Sequence, residues 1–337
     1  MTENKGVSFN QRTMVILAVV IVVGILGAVW YLNRPVPGKT QLIVSTTTSF
    51  YETGFLSVLK KSFEAKYPQY NVSFISQGTG LALATAARGD ADLVLVHAPS
   101  SEKIFLSNGT GVNRKIVAYN FFLIVGPAND PAGIKGLSAV EAMKKIAAAG
   151  ALGTTQWVSR GDNSGTNTKE NSLWKLAGLD LAKIKAEKAP SGNPWYLSAG
   201  AGMTATLQLA NQKNAYTLSD IASFLSNTAN KNIALIQYVG PEKNMLNVYS
   251  VIVCNPAKNS RGNYEVSMTF ERYLISTDGQ NLFGTFGVQG QTVFKPWIPT
   301  LTTGTDATLI QWVKDYAYID GSDCPTQYRL NADDLYK

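Results

Sequence analysis

Histidine and cysteine are scarce in this sequence. The 337 residues include one histidine, His97, and two cysteines, Cys254 and Cys324. No CxxC pair and no cluster of cysteine and histidine occurs, so the sequence predicts neither a zinc nor an iron–sulfur site, and no other metal cation. The two cysteines leave two alternatives open: one disulfide outside the cytoplasm, or two unrelated buried thiols.

Signatures of catalysis are missing as well. A hydrolase needs a nucleophile and a base that activates it, but no G-x-S-x-G elbow occurs and His97 is the only imidazole in the chain. We therefore expect no catalytic residue, with an extracellular hydrolase built on a serine and His97 as an alternative. His97 could donate to a bound anion, but a hydrogen bond to a neighbouring loop is the favoured interpretation.

Charged residues are sparse, at 16% of the chain, and the basic ones are scattered. The net charge is +7 and the pI is near 9.2. Because no run of Lys and Arg exceeds a pair, nucleic-acid binding is not expected, whereas a mild positive field could collect small anions. The length exceeds the roughly 250–300 residues at which a single core usually divides, which predicts two lobes.

An uncharged run near the N-terminus predicts a membrane anchor. Residues 14–32 carry no charge and, as a helix, are long enough to cross the hydrocarbon core of a bilayer. Residues 1–13 are predicted to be a cytoplasmic tail, and residues 33–40, with Pro35 and Pro37, a short stiff linker. An uncleaved anchor would hold the protein at the cell surface, with its soluble part outside the cytoplasm.

From residue 41 onward, the hydrophobic pattern predicts strands that alternate with helices. Repeated units of this kind form an α/β fold with parallel sheets covered on both faces, and ligands bind at the carboxyl ends of the strands. The predicted strands are 41–45, 71–76, 93–96, 115–126, 157–160, 216–217 and 248–254. The predicted helices are 54–67, 81–88, 102–107, 139–149, 171–177, 203–212, 220–225, 264–274 and 307–316.

Four loops rich in Gly, Ser and Thr each follow a predicted strand and precede a predicted helix. Helix N-termini offer free backbone N–H groups and a partial positive charge, and glycine lets the backbone approach a ligand closely. The pattern is typical of anion binding, although ordinary helix capping explains part of it. These loops span residues 45–49, 76–80, 159–166 and 198–204.

Arg160 is the one permanently cationic side chain in these loops. A guanidinium fork binds an oxyanion through two parallel hydrogen bonds. Asp162 could orient Arg160 or cap the following helix. The alternative for Arg160 is an ion pair within the protein, with Asp162 or Glu170. Together, the loops and Arg160 indicate a binding site for a small oxyanion.

The order of these motifs resembles one known family, the tungstate-binding subunits of Tup-type ABC transporters. The similarity extends over roughly residues 41–275, most of the predicted soluble part. The motifs that carry it are TTTS at 46–49, GTG at 78–80, GDADLVLVHA at 89–98, GVNR at 111–114, VGPANDPAG at 125–133, SRGDNSGT at 159–166 and AYTLSD at 215–220.

The resemblance implies a two-lobed Venus-flytrap receptor of the type II periplasmic-binding class. Lobe one would comprise residues 41–122 and 250–337, lobe two residues 123–249, and two chain crossings between them would form a hinge. The family holds its oxyanion in the cleft through the TTTS loop and the arginine of the SRGD segment. The implied and predicted ligand-binding residues are Thr46, Thr47, Thr48, Ser49, Thr79, Gly80, Arg160, Ser164 and Thr166.

The expected function is therefore capture of a tetrahedral dianion, tungstate by resemblance, and its delivery to an ABC permease by a monomer without a cofactor. Tungstate, molybdate and sulfate carry no proton at neutral pH and need only donors, whereas monohydrogen phosphate also needs an acceptor such as Asp162. Receptors for molybdate, sulfate or phosphate, and a membrane-anchored anion sensor, are the alternatives.

Overall fold

A computed structural model describes residues 38–337 of the chain. The predicted tail, the predicted anchor at residues 14–32 and most of the linker fall on residues 1–37, outside the described part. Within residues 38–337, every helix is too short or too polar to cross a membrane.

Strands and helices alternate along the described residues, as the hydrophobic pattern predicted. The strands are β1 Thr40–Thr47, β2 Tyr70–Gln77, β3 Leu93–Val96, β4 Gly111–Gly126, β5 Trp157–Ser159, β6 Tyr196–Ser198, β7 Tyr216–Asp220, β8 Ile236–Val239, β9 Leu246–Cys254, β10 Gly287–Val288, β11 Gln291–Thr292 and β12 Lys295–Pro296. The helices are α1 Thr48–Glu52, α2 Phe55–Lys66, α3 Thr79–Ala87, α4 Pro99–Ser107, α5 Ala139–Ala151, α6 Gly165–Leu176, α7 Leu181–Ala186, α8 Met203–Lys213, α9 Ile221–Ala229, α10 Tyr264–Ile275, α11 Thr277–Thr285, α12 Trp297–Thr303 and α13 Ala307–Ala317.

One mixed sheet carries the strands other than β10 and β11, in the order β2-β1-β3-β9-β4-β7-β5-β6, with β8 and β12 also paired to β4. The strands β1 to β3 are parallel, and so are β5 to β7, as repeated βα units predict. Between these two parallel groups, β9 and β4 run antiparallel to their neighbours. The prediction of parallel sheets therefore holds within each group but not for β9 and β4 between them.

The long strand β4 joins the two parallel groups. Its residues 111–121 pair with β9, and its residues 122–125 pair with β7. Most of the strand is buried, which suits its continuous run of β-branched and aromatic residues. The chain returns through β9, where Asn247 lies directly opposite Asn120 of β4. The lobe boundaries at 122/123 and 249/250 stay predictions.

The first helix, α1, was not predicted. Its N-cap is Thr47, whose hydroxyl accepts a hydrogen bond from the backbone N–H of Phe50, so the helix begins directly after β1 without a loop. Two of the other three helix starts, at Gly165 and Met203, follow loops as predicted. The third, at Thr79, is separated from β2 by Gly78 alone, so most of the loop predicted at 76–80 belongs to β2 and α3. Helix α6 begins at Gly165, six residues before the predicted start, because Ser164 caps it through the N–H of Asn167.

The C-terminal residues pack against the central strands. Trp297 and Val313 are buried against Ile116 and Val248. Further along β4, the fully buried Arg114 donates through Nε to Glu102 at 2.9 Å and pairs with Asp323 at 3.4 Å. Such a buried ion pair is stable only while both partners are present.

Both cysteines are unpaired buried thiols. Cys254 ends β9, and Cys324 lies in the C-terminal segment. Of the two alternatives drawn from the sequence, the structure shows separate thiols and no disulfide.

Candidate functional site

Residues from both parallel groups meet where α1, α3, α6 and α8 begin. A Cβ built on Gly78 would lie 3.4 Å from the carbonyl oxygen of Asp162, and one built on Gly165 would lie 2.8 Å from His97. At the rim, the Thr204 hydroxyl donates to Glu52 at 3.2 Å. Residues at or near these helix starts therefore lie close together where the two parallel groups meet, a place called the cleft below. This clustering concentrates backbone donors and partial positive charge there.

The hydroxyls at the end of β1 have different roles. The hydroxyl of Ser45 donates to the carbonyl of Ala82 at 3.0 Å, and that of Thr46 donates to the carbonyl of Leu95 at 2.8 Å. A hydroxyl has one proton, so neither side chain can also donate to a ligand in this arrangement. Ligand binding by Thr46 stays a prediction, and in this arrangement its hydroxyl is already engaged with Leu95.

Arg160 crosses the cleft. Its Nη2 donates to the hydroxyl of Thr48 at 3.1 Å and to Oδ2 of Asp162, and its side chain is 1% exposed. Asp162 forms an ion pair with Arg160, which is the alternative that the sequence left open for this arginine. The same contact can orient Arg160, and Oδ1 of Asp162 accepts from the N–H of Ser164. Helix α6 itself is capped by Ser164.

Among the predicted ligand-binding residues, four donor atoms are buried without a hydrogen-bond partner in the described part of the chain: Nε and Nη1 of Arg160, Oγ1 of Thr79 and Oγ1 of Thr166. Buried polar groups are nearly always hydrogen-bonded, and an unpaired charged donor is especially costly. Thr79 opens α3 and Thr166 lies in the first turn of α6, so both sides of the cleft contribute. An anion with several acceptor oxygens matches this donor set.

Gly80 and Ser164, the remaining predicted donors, differ in exposure. Gly80 is exposed, and a Cβ built on it would contact nothing within 4 Å. Ser164 is buried, with its oxygen accepting from the N–H of Asn167 at 3.2 Å. The structure thus places Ser164 inside the cleft and Gly80 at its solvent edge.

Asp220 lies near Arg160 and was not among the predicted ligand-binding residues. Its Oδ1 accepts from the N–H of Ser223 as the N-cap of α9, and its Oδ2 has no partner in the described chain. Burial raises the pKa of Asp220, and the hydrogen bond from the N–H of Ser223 and, to a smaller extent, the positive charge of Arg160 oppose that rise. The AYTLSD motif pointed to this position, but not to the carboxyl as a polar group in the cleft.

Glu170, the second predicted partner of Arg160, is engaged elsewhere. Its Oε1 accepts from the indole N–H groups of Trp157 and Trp174 and from the hydroxyl of Tyr196, while its Oε2 accepts from Ser159. Arg160 is therefore not paired with Glu170.

His97 is buried next to Thr47 and Ser49, where β1 ends and α1 begins. Its Nε2 is 3.2 Å from the hydroxyl of Thr47 and 3.3 Å from that of Ser49, and its Nδ1 is 2.8 Å from Oδ1 of Asn247. Burial lowers the pKa of His97 to about 4, helped by the nearby charge of Arg160. The imidazole is consequently neutral at physiological pH. Hydrogen bonds to neighbouring elements, the favoured interpretation from sequence, are what the structure shows.

A cavity of about 210 Å³ adjoins His97 and Gly165 on the side of α4 and α13. Lys169 lines it, with Nζ 3.9 Å from the ring centre of Tyr316 and donating to the carbonyl of Asn244 at 3.2 Å. Burial lowers the pKa of Lys169 to about 7. No signal in the sequence marked this lysine.

Comparison with known proteins finds anion-binding proteins among the relatives of this chain. A family model described as a PBP superfamily domain matches residues 35–278. A Haloferax volcanii protein assigned as an ABC transporter anion-binding protein is 45% identical over 265 residues, covering 77% of this chain and 73% of that protein. The tungstate-binding protein TupA of Peptoclostridium acidaminophilum is 37% identical over 263 residues, covering 77% and 86%. The structure of TupA from Desulfovibrio alaskensis is 36% identical with a TM-score of 0.63, covering 76% and 98%.

The fold and the cleft define a two-lobed α/β solute-binding protein of the periplasmic-binding-protein superfamily. Within it, the chain belongs to the Tup-type family of ABC-transporter solute-binding proteins, as the order of its motifs predicted. The family model ends at residue 278, so the C-terminal residues that pack on β4 and β9 lie beyond it.

Proposed function

We propose that this protein is an extracytoplasmic receptor that captures tungstate in the cleft and delivers it to an ABC permease. The observation that carries the proposal is the set of four buried, unpartnered donor atoms on Arg160, Thr79 and Thr166. A buried dianion is stable only when its oxygens are hydrogen-bonded. Donors from both sides of the cleft would satisfy those oxygens, and binding requires no chemical step.

Two carboxyl groups near Arg160 could accept a proton from an anion: Asp162, and Asp220, whose Oδ2 has no partner among the described residues. Both oxygens of Asp162 are already engaged, one by Arg160 and one by the N–H of Ser164. Monohydrogen phosphate needs a carboxylate to accept its proton. Asp162 is less available for that than the sequence indicated, whereas Asp220 keeps phosphate among the candidate ligands. Tungstate is preferred over molybdate and sulfate because the relatives TupA are named for it.

Capture would depend on closure of the cleft. The contacts of Arg160 with Thr48 and of Thr204 with Glu52 join residues of the two parallel groups. A ligand that bonds to both sides favours the closed arrangement through contacts that the open one lacks. The hinge would lie where β4 and β9 connect the groups, near residues 120–126 and 248–254.

The predicted anchor completes the proposal. A helix at residues 14–32 would hold a monomeric receptor beside its permease and raise its effective concentration there. Without the permease, the same protein would serve as a membrane-anchored anion sensor.

Calorimetry of the full chain in detergent micelles, against tungstate, molybdate, sulfate and phosphate, tests the assignment. We expect tungstate to bind tightest. Arg160→Ala should weaken binding at least tenfold, since charged hydrogen bonds contribute about 1.5–3 kcal/mol each. Arg88, which forms an exposed ion pair with Asp90, supplies the control Arg88→Ala. Heat with none of the four anions would refute the proposal.

One geometric observation favours a second candidate, a hydrolase. Ser49, His97 and Asn247 form a chain of side chains that resembles a nucleophile, a base and an orienting amide. A base whose pKa is lowered to about 4 removes a serine proton poorly at neutral pH. Turnover of ester substrates that disappears in Ser49→Ala would establish this candidate in place of the receptor.

A further inference from the structure

The two strands that connect the parallel groups carry a buried chain of amide hydrogen bonds. Asn120 of β4 donates through Nδ2 to the backbone carbonyl of Val293 at 3.1 Å. Asn247 of β9 donates through Nδ2 to Oδ1 of Asn120 at 2.8 Å and to the hydroxyl of Tyr249 at 2.9 Å. Asn120 is 3% exposed and Asn247 is 0% exposed, so water does not compete for these bonds.

The carbonyl of Val293 determines which group donates and which accepts in every hydrogen bond of this series. A backbone carbonyl can only accept, so the side-chain amide of Asn120 must present its NH₂ group to Val293 and its oxygen to Asn247. Asn247 must then present its NH₂ group to Asn120, which leaves its own oxygen facing Nδ1 of His97 at 2.8 Å. It follows that Nδ1 of His97 carries the proton.

This proton position determines what His97 does at the cleft. In a neutral imidazole with hydrogen on Nδ1, the other nitrogen is an acceptor with one lone pair. Nε2 is 3.2 Å from the hydroxyl of Thr47 and 3.3 Å from that of Ser49, and those hydroxyls are 3.4 Å apart. One hydroxyl proton is therefore committed to Nε2, and one remains to be donated elsewhere. The opposite tautomer would donate to these oxygens and reverse their orientation.

We infer that His97 is a positioning residue for the ligand: as the Nδ1–H tautomer, it accepts a hydrogen bond at Nε2 from the hydroxyl of Thr47 or Ser49 and holds both hydroxyls in one orientation at the cleft. The effect of His97 on ligand affinity rests on the proposed function. The assignment of the tautomer does not. His97 thereby connects the strands between the groups with the first helix start. Val293, whose carbonyl sets the direction of this series of hydrogen bonds, lies beyond residues 35–278, which the family model matches.

Nitrogen NMR of the imidazole tests the tautomer directly, because the chain contains one histidine and the spectrum therefore reports on His97 alone. The full chain, labelled with ¹⁵N-histidine, should show a protonated Nδ1 and an unprotonated, hydrogen-bonded Nε2 at pH 7 without any ligand. A proton on Nε2, or a doubly protonated ring, would overturn the inference. This measurement uses the wild-type chain, so it does not depend on the folding of any variant.

Affinity measurements with tungstate test the positioning. His97→Leu removes the acceptor and should weaken binding at least tenfold, whereas His97→Gln can place an amide oxygen near the hydroxyls and should recover part of that loss. A purely structural role would make both variants equally poor, and unchanged affinity in His97→Leu would also contradict the inference. If the wild-type chain binds no oxyanion, the proposed function fails while the tautomer result stands.

Discussion

Replacing Gly165 with alanine tests whether the first turn of α6 must approach His97 when ligand is bound. A Cβ at this position would lie 2.8 Å from Cε1 and 2.9 Å from Nδ1 of His97. The ring cannot swing aside easily, because both of its nitrogens are hydrogen-bonded. The backbone of Gly165 is outside the left-handed region, so alanine adds no backbone strain and acts through this contact alone.

The expected cost of one added methyl in a packed contact is about 1–3 kcal/mol. If the contact belongs to the closed cleft, that cost weakens tungstate binding by about 5- to 150-fold, while the melting temperature without ligand changes little. Calorimetry and thermal unfolding measure the two quantities. The matched control is Gly284→Ala on α11, where the new methyl would meet only Pro296 at 3.5 Å. Wild-type affinity in Gly165→Ala would refute the reasoning that closure brings these groups together.

Three further changes probe charge in the interior. Arg160→Lys keeps the charge but loses the planar fork, so tungstate affinity should fall between those of wild type and Arg160→Ala, by calorimetry. Glu102→Gln removes one of the two carboxylates that pair with the fully buried Arg114 and should lower the free energy of unfolding by up to about 3–5 kcal/mol in urea titrations. An exposed pair such as Lys144 with Glu141 should contribute less than about 1 kcal/mol. The pKa of Lys169 is lowered by burial to about 7, so above that pH the unfolded chain binds more protons than the folded one. Stability should therefore rise by about 2 kcal/mol from pH 7 to pH 9 through this group, and Lys169→Met should remove that rise while Lys144→Met does not.

Much of the site was predictable because helix starts are local features. The loops at 76–80 and 159–166 combine a strand, small polar residues and a helix, and their chemistry can be recognised within ten residues of sequence. Arg160 and Asp162 are two residues apart, so their pairing needed no knowledge of the fold. The predicted α/β alternation was confirmed for the same reason, since each βα unit has its own hydrophobic period.

The remaining features depend on contacts between residues that are far apart in the sequence. The bond between His97 and Asn247 joins residues 150 positions apart, and nothing in either local pattern indicates it. The donation from Thr46 to the carbonyl of Leu95 likewise depends on β1 pairing with β3. The antiparallel position of β9 in the centre of the sheet could not be derived from βα repeats, which predict only parallel neighbours.

The shared strand β4 also determines how the described chain should unfold. Because its residues 111–121 and 122–125 pair with different neighbours, loss of either parallel group would expose one edge of the other. Neither group is then an independent folding unit, and melting should occur as one cooperative transition. A ligand that binds the cleft will shift that whole transition, so a single melting curve suffices to screen anions against the protein.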